Sequence, residues 1–162
     1  MALGTAFNAQ AQQARFGLTG GYLNVRASIK ADGLTLSNSE SGFYVGILAD
    51  FELSEKFNLQ PEFVYASIKE GEALMLPILG KFAMSERFNL LLGPQFVFSL
   101  GENVEDLSNV EIGLTGGLGF DIDRDFFVEA RYSFPLNNSY TGDLDVKLRG
   151  NYLAVGLGYK FL

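Results

Sequence analysis

The chain contains no cysteine and no histidine among its 162 residues. Without cysteine there is no disulfide framework, no thiol nucleophile and no thiolate metal site. Without histidine the commonest general base and commonest metal ligand are missing, and a Ser-His-Asp triad is excluded. Positive charge is in the minority. Twelve Lys and Arg face 19 Asp and Glu, a net charge of −7, which argues against a nucleic-acid partner. Proline is scarce, with four residues. Long apolar runs are missing too: the longest, about Ala73 to Gly80, falls far below the ~20 residues of a membrane-spanning helix.

What is present is glycine (19 residues), Phe (15) and Tyr (7). The length suits one domain. The first residues read as processing rather than fold. Met1 to Phe7 is small and apolar, and Ala9-Gln10-Ala11 has the small-x-small form of a signal-peptidase site. Residues 1–11 are therefore expected to be the remnant of a signal peptide, with residues 12–162 forming the folded domain.

Period-two alternation runs along almost all of that domain. In the C-terminal segment Leu153, Val155, Leu157, Tyr159 and Phe161 share one face, and Tyr152, Ala154, Gly156, Gly158 and Lys160 the other. Phe43, Val45, Ile47, Ala49, Phe51 and Leu53 likewise oppose Tyr44, Gly46, Leu48, Asp50 and Glu52. Similar segments begin at Phe57, Leu74, Phe88, Val110 and Phe126. The first strand is irregular. Phe16, Leu18 and Tyr22 share a phase, whereas Leu23, Val25 and Ala27 take the opposite one, which predicts a bulge near Gly20-Gly21. Eight antiparallel strands result. An even number is the rule in single-chain outer-membrane barrels.

The connections alternate in length. Ser54-Glu55-Lys56, Ser85-Glu86-Arg87 and Asp123-Arg124-Asp125 read as tight charged turns. The stretches Ser28–Gly42, Leu100–Asn109 and Pro135–Gly150 read as long loops, and Lys69–Glu72 as a short one. Short turns at one end and long loops at the other is the outer-membrane pattern.

One face of the strands is almost free of charge. The other carries Asp50, Glu52, Glu62, Lys81, Glu111, Asp121, Glu129, Arg131 and Lys160. An eight-stranded interior is just wide enough for side chains. The Phe and Leu residues would overfill it, whereas Gly46, Gly93, Gly113, Gly117, Gly119, Gly156 and Gly158 on the charged face leave room for long polar chains. The greasy face is thus expected to meet lipid and the nine charged residues to form a lumen network, filling the lumen as a plug. Lys81 needs carboxylate partners there, with Glu62, Asp50 and Glu129 the candidates. Two further motifs carry no chemistry. Asp121 to Asp125 lacks the Gly and terminal Glu of a calcium-binding EF-hand loop. Gly116 to Gly119 has no helix after it to form a phosphate site.

Leu74-Met75-Leu76-Pro77-Ile78-Leu79-Gly80-Lys81-Phe82 resembles the apolar-Pro-apolar-Lys-aromatic strand of the PorT-like family of small, OmpX-like outer-membrane β-barrels. Leu92-Gly93-Pro94-Gln95-Phe96 is similar to that family's Gly-Pro strand, and Glu129-Ala130-Arg131-Tyr132-Ser133-Phe134 to its acidic-Ala-Arg-Tyr strand. Leu162 departs from the pattern, standing one residue past the usual terminal aromatic. The resemblance implies an eight-stranded up-and-down barrel in the outer membrane of a Gram-negative bacterium. It also implies lipid and the barrel assembly machinery, engaged through the C-terminal strand, as partners. The expected role is structural or surface interaction through the loops, with no enzymatic activity and no cofactor. A porin-like channel for small solutes and a soluble lipocalin-type carrier are the alternatives.

Overall fold

The computed structural model describes residues 14–31, 33–69, 71–100, 110–136 and 146–161. The expected signal remnant, Leu162 and the central parts of two expected loops, 101–109 and 137–145, lie outside them. The alternating segments become eight strands: β1 (Ala14–Ala31), β2 (Leu34–Glu52), β3 (Phe57–Ile68), β4 (Gly71–Ala83), β5 (Phe88–Ser99), β6 (Val110–Asp121), β7 (Phe126–Pro135) and β8 (Val146–Lys160). Each pairs antiparallel with its sequence neighbour, and β8 returns to β1, so the sheet closes and has no edge around the wall.

Two of the three charged turns tie themselves down with side chains. Asp123 Oδ1 accepts from the backbone N–H groups of Asp125 and Phe126, both at 2.8 Å. Ser85 Oγ accepts from the Phe88 N–H at 3.1 Å. These are local Asx and Ser turns, which need no tertiary help. At the other end, Gly33 between β1 and β2 sits at φ 79°, where a Cβ would be strained.

The greasy face points outward. Leu18, Phe43, Val45, Ile47, Phe63, Leu118, Phe134 and Leu157 are all exposed. A soluble carrier would need the reverse. Every strand also places an aromatic on this face near the turns: Phe16, Phe51, Phe57, Phe82, Phe88, Phe120, Phe126 and Tyr159. Neighbours in this belt touch, with ring centroids 4.9 Å apart for Phe57–Phe82 and Phe88–Phe120 and 4.8 Å for Phe126–Tyr159. Along β5 the outer face is apolar from Phe88 to Phe98. At about 3.3 Å per residue and a tilt near 40°, that climbs about 25 Å, the height of the apolar band of a transmembrane barrel.

Three expectations are corrected. The stretch Pro135–Gly150 is not all loop, because Val146–Gly150 begins β8 and pairs with Ala27–Ala31 of β1. No bulge exists at Gly20-Gly21: β1 pairs in unbroken register with β2 from Ala14↔Phe51 to Ala31↔Leu34. Leu23 points inward and is only 1% exposed. The strand keeps its phase; the chemistry of the lumen changes beneath it. Nor is Ser28–Gly42 a loop. Apart from residues 32–33, it continues β1 and β2 as a hairpin. Its Ser, Thr and Asn residues hide the alternation because neither face there is asked to be apolar.

The wall is uneven. The β1–β2, β1–β8, β5–β6, β6–β7 and β7–β8 ladders run without interruption. The β2–β3 ladder skips Pro61, β3–β4 skips Pro77 and β4–β5 skips Pro94. A proline has no N–H to give a ladder.

Candidate functional site

Alternation aims one residue in two from every strand into the lumen, and these side chains form distinct levels. Nearest the turns lies a carboxylate–ammonium cluster. Asp50 of β2 accepts from Lys160 Nζ of β8 at 2.5 Å and from Asn58 Nδ2 at 2.7 Å. Lys81 of β4 stands 3.7 Å from Asp50 and 3.8 Å from Asp121. Asn89 donates to Asp121 at 3.0 Å. Both ammonium groups also lie over the Phe127 ring, 5.1 Å from its centroid for Lys160 and 5.5 Å for Lys81. That ring fits because residue 158 is glycine: a Cβ there would collide with Phe127.

The next level is built on Arg131 of β7. Its Nη1 donates to Glu62 of β3 at 2.8 Å, and its Nε lies 3.8 Å from Glu129 Oε2. Gln60 bridges the two carboxylates, donating to Glu62 at 2.8 Å and to Glu129 at 3.2 Å. The guanidinium sits 5.8 Å from the Tyr44 ring. The Tyr44 hydroxyl in turn occupies the space a Cβ at Gly156 would need. Thus two β8 glycines each seat an aromatic that faces a cation. Leu48, Leu79 and Leu91 are buried in the same stretch of lumen. Above them Thr115, Ser133 and Gln95 form a small hydroxyl–amide group, with Thr115 and Ser133 2.6 Å apart.

Toward the loops the lumen turns apolar. Leu23, Tyr44, Val64, Ala66, Met75, Val97 and Ala154 form one buried cluster. Val25, Ile68, Ala73 and Tyr152 pack against it. The turn end opens on a charged vestibule of about 530 Å³, and the loop end on a cavity of about 270 Å³. Between them Gln60, Val64, Leu79, Leu91 and Thr115 are fully buried, so the described lumen is filled across its middle.

Of the nine charged residues read from sequence, Asp50, Lys81, Asp121 and Lys160 meet in one cluster, and Glu62, Glu129 and Arg131 in the other. Glu52 is exposed at the turn-side mouth. Glu111 lies near the loops, accepting from the Tyr152 hydroxyl at 3.5 Å. Glu62, a candidate partner of Lys81, bonds Arg131 instead. Reasoning from charge alone missed Asn58, Asn89, Phe127 and Tyr44. The signal was available for three of them, since Asn58, Phe127 and Tyr44 share a strand face with a charged residue, whereas the strand of Asn89 carries no charge.

No family model matches the chain, and no curated protein sequence matches it. The PorT-like resemblance therefore rests on its motifs. Among solved structures, the chain is similar to neisserial surface protein A, NspA (TM-score 0.54, 14% identity, 90% of this chain and 97% of that one). It is also similar to Ail, the attachment invasion locus protein of Yersinia pestis (TM-score 0.53, 19% identity, 92% and 99%). A de novo designed transmembrane β-barrel matches at TM-score 0.50 and 11% identity, over 90% of this chain and 95% of that one. Likeness at such identities speaks for the fold. Fold, apolar exterior and aromatic belt together define the class: an eight-stranded antiparallel transmembrane β-barrel of outer-membrane type.

Proposed function

We propose that this chain is an integral protein of a Gram-negative outer membrane whose lumen is a structural plug and whose working surface is its loop end. The observation that carries this reading is the shape of β1 and β2. Above Gly42↔Ile68, where β3 stops, β2 continues through Leu34–Ser41 on β1 alone. Residues β1 Ala31 and β8 Val146 also remain paired at that height. A three-stranded sheet therefore rises out of the barrel with the backbone of β2 along one side. Leu34 and Leu36 project from it, 74% and 72% exposed. Such an edge is suited to pairing with an extended segment of a partner. Ail and NspA, named for attachment and invasion and for the surface, are compatible relatives in fold.

The absence of native cysteine makes the topology easy to test. Ser39→Cys should react with a membrane-impermeant maleimide on intact cells, and Ser54→Cys only after lysis. The opposite pattern would invert the topology. For the surface role, cells displaying the protein should adhere to a host-cell layer, and Leu34→Lys combined with Leu36→Lys should abolish the difference from non-displaying cells. Planar-bilayer recording should show no stepwise conductance. Regular steps would replace the plug by the channel reading.

A further inference from the structure

A plug made only to fill space would be packed to its end. This one is not. Its loop end keeps a cavity of about 270 Å³, larger than the engineered apolar cavity of about 150 Å³ that takes up benzene. The void exists because small residues stand where the surrounding lumen has large ones: Ala66 of β3, and Gly71 and Ala73 of β4. Its floor is Leu23, Met75 and Val97, each 5% exposed or less. The hydrophobic cluster and the hydroxyl–amide group beneath close the way to the ion pairs.

We infer that this cavity binds a small uncharged apolar molecule, about one substituted ring in size, that enters from the loop side. Size sets the upper bound, since drug-sized ligands need roughly 300–1,000 Å³. The apolar floor offers a charge nothing to pair with. The mouth selects further. Glu72 lines it, and Glu111 holds the Tyr152 hydroxyl beside it. No Lys or Arg is among the described lining residues. A carboxylate or fatty-acid headgroup would face like charge there, while a lone hydroxyl could reach Ser99 or Glu72. None of the cavity's lining residues comes from β2, so the site is separate from the projecting leucines.

Two methionines make the test direct. Met75 is in the cavity floor, and Met84 sits at the β4–β5 turn, 64% exposed. Protein labelled with [13C-methyl]methionine and reconstituted in lipid nanodiscs is titrated with benzyl alcohol and, separately, with benzoate. Benzyl alcohol should shift the Met75 methyl resonance saturably and leave Met84 in place, and benzoate should shift neither. Ala73→Leu, which fills the void, should weaken the Met75 response at least about tenfold, equivalent to 1.4 kcal/mol. Gly71→Leu gives a second variant at the mouth, where a Cβ meets open space; it should weaken binding in the same direction. Parallel, unsaturable movement of both methionines would mean bilayer partitioning and overturn the site. So would wild-type binding by both filled variants, or a Met75 methyl that benzyl alcohol leaves unmoved because lipid chains already fill the cavity. Equal binding of benzoate would overturn the uncharged ligand class.

Discussion

The two halves of the lumen solve the same problem with opposite chemistry. Toward the turns, the interior is closed by carboxylates, ammonium groups, a guanidinium and amides that hydrogen-bond across the barrel. Toward the loops, it is closed by Leu, Val, Met and Ala. The charged half depends on every partner being present, because a buried charge whose partner is removed becomes a liability. The apolar half depends on volume, and it tolerates a void. The difference shows in the spaces they leave, a charged vestibule of about 530 Å³ at the turn end and a mainly apolar cavity of about 270 Å³ at the loop end.

Four measurements would break or sharpen this contrast. The largest effect is expected for Arg131→Met, which leaves Glu62 and Glu129 facing each other. A loss of about 3–5 kcal/mol is expected in urea-induced unfolding from lipid vesicles. Adding Glu62→Gln should recover part of it, and a simple sum of the two losses would show that the pair does not act as a unit.

Leu23→Ala in the apolar half should cost roughly 2–3 kcal/mol, toward the lower end for a buried leucine because a void already adjoins it. Its loss should not change with salt. A salt-dependent loss would mean that water and ions reach the loop-end cluster.

Partnering within the charged half supplies a finer test. Lys81→Met and Asp50→Asn should be non-additive, since these groups lie 3.7 Å apart. Lys81→Met and Glu62→Gln belong to different clusters and should add within about 0.5 kcal/mol. Strong coupling of the second pair would merge the two clusters into one.

The smallest effect lies outside the lumen, at the β6–β7 turn. The backbone N–H groups of Phe126 and Asp125 hold the Asp123 carboxyl below its usual range. A depressed pKa in the folded state makes this contribution complete above the ordinary carboxylate pKa. It is lost as pH falls through the lower folded value. Wild type should therefore lose a little more stability than Asp123→Ala on acidification, and the gap between them should be constant above pH ~5. A gap that widens at higher pH would contradict the turn geometry.

Strand phase and the lipid-facing surface were legible in the sequence because a sheet enforces period two wherever one face is apolar. The same rule misled at Leu23 and Val25. There the inner face joins the loop-end cluster while the outer face turns polar with Asn24 and Arg26, so a change in the chemistry of both faces mimicked a change of phase. Hairpin register also placed Asp50, Lys81 and Glu129 at similar heights. It could not say which groups meet, because the contacts join strands that are not neighbours: Glu62 on β3 to Arg131 on β7, and Asp50 on β2 to Lys160 on β8. Closure of the barrel decides those pairings. The aromatic supports were hidden for a related reason. Phe127 and Tyr44 look like stray apolar residues on a polar face until Gly158 and Gly156 are brought against them.

The prolines of β3, β4 and β5 give the cylinder a soft side. Each removes a rung near the middle of its ladder, inside a membrane that offers no water to replace it. A ring stiff over most of its circumference and slack over one arc does not breathe equally in all directions. It flattens along one axis. Thermal motion in this barrel is therefore expected to be elliptical, with the slack arc bowing first. In hydrogen–deuterium exchange, amides beside Pro61, Pro77 and Pro94 should exchange before those at equal depth in β6, β7 and β8. Uniform protection around the wall would show a ring of even stiffness.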